Sequence, residues 1–396
     1  MKLKKEFTSL LMIVFVIINF VLSLSGTLFN GILDHIAKLL QISVASTGSL
    51  TSFYAYGAIG APVLVFAFGQ IKRATLLKGT LFFTLLFGIL SIYTKSFPVL
   101  LFARFMSGLF ATAYNVLATT TIAALSSEDK VGRNIALLIT GASASLMVGV
   151  PLCRILIEYL AWQTIYLILV IFMIIGLLLL NFLLPDIKTH GDSIHLKKEL
   201  SMLFSKKVFS IVMISFIAFA GYGAFYTYLT PYLVAMFPQV EQYTSLLLVL
   251  VGAFALFGNY IGGIFCDKIG FKKALFFGTV IQLFIGILIF ITQNSTFINI
   301  VFVMVWMLVG WFIGLQLNTG INIVTQNKSS FLVSLNGSII QFSQAIGASM
   351  AALVIANTEI SFIIFVSIFT SALSVVLLIP LLNKKENQSS VLAKQA

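Results

Sequence analysis

The chain has 396 residues, 60% of them hydrophobic and only 9% charged, with a formal net charge of +12 and a mean hydropathy of +1.08. A soluble domain carries roughly 25% charged residues, so a soluble fold of this length would lack the polar surface to stay in solution. Repeated apolar stretches of about 20 residues read instead as transmembrane helices.

The basic start, Met1 to Glu6, leads into an apolar run from Phe7 to about Leu33. That run exceeds the short apolar core of a cleaved signal peptide and is read as a retained first span. Charged or turn-like breaks then mark spans over 46–69, 75–94, 97–125, 133–157 and 162–184. A hydrophilic stretch follows, 185–207, carrying Lys188, Lys197, Lys198, Lys206 and Lys207. Six further spans are expected over 208–235, 243–266, 274–293, 297–325, 331–356 and 359–382. The expected organisation is an N-terminal six-helix bundle (1–184), a cytoplasmic linker (185–207), a C-terminal six-helix bundle (208–383) and a cytoplasmic tail (384–396).

Twelve spans put both termini on one side. Of the 24 lysines and arginines, only Lys38 and Lys95 fall in loops on the opposite side, and only Arg104 and Arg154 fall within spans. The others occupy the N-terminus, the alternate loops and the C-terminus. By the positive-inside rule the termini are expected in the cytoplasm of a cell-membrane protein. The basic balance is thus a topology signal, and no nucleic-acid partner is expected.

Cys153, Cys266, His35, His190 and His195 show no metal-site spacing, so no metal and no cofactor are expected. There is no Gly-x-x-x-x-Gly-Lys phosphate loop, which argues against an ATP-driven pump. No polar cluster suggests a membrane enzyme, and no loop is long enough for a sensor domain. The two halves echo each other. "GAIGAPVLVFAFGQIKRATLL" (57–77) is similar to "GNYIGGIFCDKIGFKKALFF" (258–277): in both, a Gly-rich helix ends in a basic turn before a new helix starts. Internal symmetry of this kind is common among secondary transporters.

Four stretches carry a family resemblance. "FARFMSGLF" (102–110) holds an Arg-x-x-x-Gly pattern through Arg104 and Gly108. "GASASLMVGVPL" (141–152) carries Gly141, Gly149 and Pro151. "GGIFCDKIGFKK" (262–273) carries Gly262, Asp267, Gly270, Lys272 and Lys273, and "AGYGAFYTYLTPYL" (220–233) is the seventh span. In this order and topology the chain resembles a major facilitator superfamily transporter, and within it the twelve-span drug:proton antiporters, especially arabinose-efflux-like and purine-efflux-like members. The resemblance implies an all-α membrane protein of two pseudo-symmetric six-helix bundles. It also implies export of a small solute by alternating access, driven by protons; a monomer is expected, with the oligomeric state left open by the sequence. Purine-like compounds, sugars and amphipathic drugs are the implied substrate classes; a facilitator or importer of a small neutral solute is the alternative. Two departures stand out. The first-half loop, "FAFGQIKRATLL" (66–77), has no aspartate, and Arg154 stands where the fifth-helix motif usually continues with glycine.

Arg104 lies seven residues into the fourth span, roughly 10 Å below the outer surface at 1.5 Å per residue. A guanidinium there costs on the order of 3 kcal/mol or more unless paired or solvated. It either snorkels outward or serves a cavity or proton coupling, the role its place in the motif implies. Arg154 lies about 31 Å along the fifth span, near the outer hydrocarbon edge. It can hold Glu158, one turn on, or reach Asp34 at the outer end of the first span, where purine-efflux-like relatives usually have proline. An Asp34–Arg154 pair, with Arg104 as a third member, would favour the state that closes the outer mouth. Asp34 is also the acid best placed to carry a proton; a helix cap in water is the alternative.

Gly108, Gly141, Gly149 and Pro151 are expected to thin, pack and bend their helices. Asp267, Gly270, Lys272 and Lys273 either anchor a positive-inside turn or form the family's cytoplasmic latch. In this family's fold the first, fourth, seventh and tenth helices line the cavity. Their polar residues Asn30, Tyr114, Asn115, Tyr222, Tyr226, Gln316 and Asn318 need partners, which a substrate or a neighbouring helix can supply. Tyr226 and Asn115 are the leading contacts.

Overall fold

In hydrocarbon every backbone N–H and C=O must be satisfied within the protein, which helices accomplish segment by segment. A computed structural model describes residues 2–126, 130–185, 202–325 and 330–383, and these contain helices and no strand. Most of the expected linker (186–201) and all of the tail (384–396) lie outside the described residues. So do His190, His195, Lys188, Lys197, Lys198, Lys328, Lys384, Lys385 and Lys394.

Among the described residues, twelve helical segments are long and apolar enough to cross a bilayer. The first six are Ser9–Leu40, Val44–Ala67, Arg73–Tyr93, Phe97–Leu125, Arg133–Leu156 and Trp162–Leu183. The second six are Lys206–Thr227, Pro238–Ile269, Phe271–Ile291, Thr296–Val324, Leu335–Asn357 and Ile360–Leu382. They are called the first to twelfth spans below. Large apolar side chains such as Phe182 and Phe297 point outward, a surface suited to lipid and not to water.

Three departures from the expected spans stand out. The first span does not stop at Leu33 but runs to Leu40. Asp34, beyond Leu33, is paired with Arg154 in a buried contact, so a charge at this point does not have to end the helix in water. It ends at Gln41 (φ 54°), and Ser43 caps the next helix by accepting from the Ser46 N–H at 3.1 Å. The fifth span is interrupted by a π turn over Ser145–Gly149. Pro151 lies two residues beyond its end. It donates no backbone hydrogen bond and its ring crowds the carbonyl four residues back, which the wider turn accommodates. The seventh span breaks at Tyr228 (φ −104°, ψ 16°) and resumes as Leu229–Met236.

The halves are built alike. The first span packs on the fifth and sixth, and the second on the fourth; in the other half the seventh packs on the eleventh and twelfth, and the eighth on the tenth. Close approach is set by small residues. A Cβ on Gly108 would fall 1.8 Å from the Tyr54 carbonyl oxygen, and one on Gly57 would fall 1.9 Å from that of Phe105, so the second and fourth spans meet backbone to backbone. Gly141 does the same against Val16 of the first span, and Gly149 lies against the Leu24 side chain. Between halves, the second span packs on the eleventh and the fifth on the eighth.

Candidate functional site

The candidate site begins with Arg104, which is 0% exposed. Its Nε donates to the Leu50 carbonyl at 3.0 Å, Nη1 to that of Ser25 at 2.7 Å, and Nη2 to that of Gly26 at 3.0 Å. Nη1 also reaches the Tyr166 hydroxyl at 3.4 Å. The guanidinium lies 4.9 Å from the Phe29 ring centre and 4.6 Å from that of Tyr54. Arg104 therefore ties the first, second, fourth and sixth spans together. It neither snorkels outward nor joins a carboxylate. Carbonyls with a second lone pair free and aromatic faces compensate its charge from within its own half.

Asp34 and Arg154 meet at the end of the molecule opposite the chain termini. Arg154 Nη1 donates to Asp34 Oδ1 at 2.5 Å, and both residues are nearly enclosed, at 2% and 6% exposure. The first helix leaves helical geometry at Ile32 (φ −127°, ψ 16°), two residues before Asp34. The first and fifth spans approach closely here, since a Cβ on Gly31 would fall 2.6 Å from the Val150 side chain. Arg154 does not pair with Glu158, which is exposed. Both instead line a cavity of 460 Å³ with His35, Pro238, Gln239, Glu241 and Gln242. His35 Nδ1 lies 2.7 Å from Arg154 Nη1 and 3.3 Å from Asp34 Oδ2.

The same stretch of the first helix touches the other half. Leu33 is buried in the hydrophobic cluster of the C-terminal half. Thr230 of the seventh span donates to the Asn30 carbonyl at 3.0 Å, while Thr51 of the second span, in the same half, donates to the Asn30 side-chain oxygen at 2.7 Å. The Tyr226 hydroxyl faces the Asn30 side chain. The Tyr228 hydroxyl donates to the Ala45 carbonyl at 3.1 Å, and Lys38 sits 3.9 Å from Glu241. Tyr56 meets Ser349 at 2.7 Å nearer mid-depth. The contacts of Asn30, Leu33, Ala45 and Lys38 join the two halves at the end opposite the termini.

Of the other expected cavity residues, Tyr222 and Tyr226 belong to one aromatic group. Tyr222 stacks on Trp306 (ring centres 5.3 Å apart, planes 8° apart) and on Tyr226 (5.3 Å, 27°), and it accepts from Trp311 Nε1 at 3.1 Å. Tyr114 is enclosed in the core of the N-terminal half, and neither its hydroxyl nor the Asn115 side-chain oxygen has a hydrogen-bond partner among the described residues. Gln316 donates to the Gly262 carbonyl at 2.8 Å and so joins the tenth span to the eighth. Asn318 is exposed and accepts from Asn336 at 3.3 Å. At the terminus-side end, Gly270 (φ 79°) alone separates the eighth and ninth spans. Asp267 is exposed there and forms no ion pair among the described residues, while Lys272 and Lys273 follow in the first turn of the ninth span. Sequence reasoning missed His35, Thr51, Tyr228, Thr230, Trp306 and Trp311 as parts of the site; the adjacent pair Asp34–His35 was the one legible signal.

Among the described residues, twelve spans in two similar halves, packed helix on helix and in contact at one end, form a polytopic membrane fold of the kind secondary transporters use. The profile of the Major Facilitator Superfamily matches residues 15–328. The chain belongs to that superfamily. It is 28% identical over 375 residues to the uncharacterized MFS-type transporter YbcL of Bacillus subtilis (strain 168), covering 94% of this chain and 96% of that one. It is 26% identical over 261 residues to a protein described as a probable sugar efflux transporter of Helicobacter acinonychis (strain Sheeba), covering 63% of this chain and 66% of that one. The crystal structure of a D-xylose–proton symporter superposes with a TM-score of 0.70 at 14% identity, over 93% of this chain and 96% of that one, and so shares its fold.

Proposed function

We propose that this transporter exports a small organic solute, a purine-like compound, a sugar or an amphipathic drug, in exchange for protons. It acts as a monomer in the cell membrane, with termini, linker 185–207 and tail in the cytoplasm. Units 1–184 and 208–383 alternate about a midplane cavity, and the solute touches Asn30, Asn115, Tyr222 and Tyr226. Asp34 and Arg154 act as the outer gate, and Asp34 accepts the coupling proton. Arg104 holds the first helix in register for this gate. The turn carrying Asp267, Gly270, Lys272 and Lys273 latches the inner side in the opposite state.

One observation carries the reading. The buried Asp34–Arg154 pair sits on the helical segment that also contacts the other half through Asn30 and Leu33. A proton can displace Arg154 from Asp34 only by loosening a contact next to the closed mouth, which links protonation to opening. The description of the Helicobacter relative supports export as the direction.

The test is solute flux in proteoliposomes, with and without an imposed pH gradient, against a panel of nucleobases, sugars and amphipathic drugs. Flux of one class is expected to rise with the gradient, and Asp34→Asn is expected to abolish the gradient dependence. Flux that ignores the gradient in both proteins would overturn proton coupling.

A further inference from the structure

We infer that His35 is a proton-operated selector that decides whether Arg154 holds Asp34, so that acid on the side opposite the termini releases the closed mouth. The inference deepens the gate reading above and rests on it.

Arginine only donates hydrogen bonds and stays protonated. A contact of 2.7 Å between Arg154 Nη1 and His35 Nδ1 therefore requires a lone pair on Nδ1. In this state the imidazole is neutral, with its proton on Nε2. That one lone pair is used by Arg154, so Nδ1 has nothing to donate to Asp34 Oδ2 although it lies 3.3 Å away. Oδ2 accordingly has no hydrogen-bond partner among the described residues, while Oδ1 accepts a hydrogen bond from Arg154. The buried carboxylate is half used.

A proton from water, added to Nδ1, reverses this. Two N–H groups then face each other at a hydrogen-bonding distance, and the Arg154–His35 bond breaks. The nearest acceptor for the new Nδ1–H is the idle Oδ2, so a hydrogen bond forms there. Asp34 then answers to two cations, and Arg154 has lost one of its two acceptors. The Arg154–Asp34 bond is then the one acceptor contact left to Arg154 at this site, and the carboxylate that provides it is shared with a second cation.

His35 is placed to sense that side. Its side chain is 31% exposed and lines the same cavity as Arg154. The other charged groups facing it are Glu158 at the end of the fifth span, Glu241 before the eighth, and Lys38 one turn on, which is held by Glu241. Histidine is the side chain whose ordinary charge change falls between about pH 5 and 8, the range in which such a sensor is useful.

The experiment places spin labels on Lys95→Cys and Asn294→Cys, in loops at the same end of the two halves, in a Cys266→Ala background, Cys153 being buried. Their separation is measured between pH 8 and pH 5 in the full chain in lipid nanodiscs. The wild-type separation is expected to widen as pH falls. His35→Gln, which can still accept from Arg154 but cannot take a charge there, is expected to stay narrow throughout. His35→Arg, which always donates, is expected to stay wide. Widening in His35→Gln equal to wild type would overturn the proposal. An Asp34→Asn arm separates the two ideas. If it is wide at all pH values while His35→Gln titrates like wild type, the gate stands and the selector falls. If Asp34→Asn behaves as wild type, the gate itself fails and the selector with it.

Discussion

The Tyr228 side chain of the seventh span occupies the space where Gly48 of the second span would carry a Cβ. A Cβ there would lie 2.0 Å from the Tyr228 hydroxyl oxygen, and that hydroxyl donates to Ala45 on the same helix. Gly48→Ala must therefore push Tyr228 out of the opposite half. Accessibility of cysteines introduced near Ala45 to a membrane-impermeant thiol reagent is expected to rise several-fold. Gly48→Ala combined with Tyr228→Ala should recover the closed packing only in part, because the hydrogen bond to Ala45 is gone.

Breaking the Asp34–Arg154 pair from one side leaves a buried charge alone, at a cost of about 3–5 kcal/mol. Asp34→Asn and Arg154→Gln should each lower the thermal midpoint of the detergent-solubilised protein. The double variant, with no unpaired charge, should lose clearly less than the sum. A strictly additive double variant would contradict the direct pair.

Arg104 is satisfied by three carbonyls in a fork that lysine cannot reproduce. Arg104→Lys is expected to behave like Arg104→Ala: both lose stability, on the order of 2–4 kcal/mol from charge-assisted hydrogen bonds, and both lose transport. Because Arg104 touches no carboxylate, any residual flux should keep the wild-type pH profile. A shifted profile in Arg104→Lys would place the residue in proton coupling after all.

Tyr226 stacks on Tyr222 and turns its hydroxyl toward Asn30 of the other half. Tyr226→Phe keeps the stack and removes the hydroxyl. If the hydroxyl contacts solute, KM should rise about 10-fold, the equivalent of one hydrogen bond of roughly 1.4 kcal/mol, with thermal stability nearly unchanged. A stability loss with constant KM would assign it to closure alone.

Hydropathy made the twelve spans legible, because a helix in lipid must be long and apolar whatever its neighbours. It did not reveal where the first helix ends. Asp34, His35 and Lys38 look like a helix terminus in isolation, but Asp34 is buried against Arg154 of the fifth span and Lys38 lies near Glu241, partners that lie far away in the sequence. The meeting of Asp34 with Arg154 was readable as one of two options, since each charge stood out on an apolar background. The surroundings of Arg104 were not, because its acceptors are backbone carbonyls and every residue has one. The aromatic group was hidden for a related reason: Trp306 and Trp311 are two aromatics in a chain with 38 phenylalanines, and no spacing marks the ones that face Tyr222.

That group has one more consequence. The chain has three tryptophans, and two of them bracket a single tyrosine, one stacked on its ring and one donating to its hydroxyl. Any solute or rearrangement that disturbs Tyr222 alters the surroundings of both indoles at once. The protein thus carries its own optical reporter, and emission intensity and colour can follow changes around Tyr222 in the unlabelled molecule.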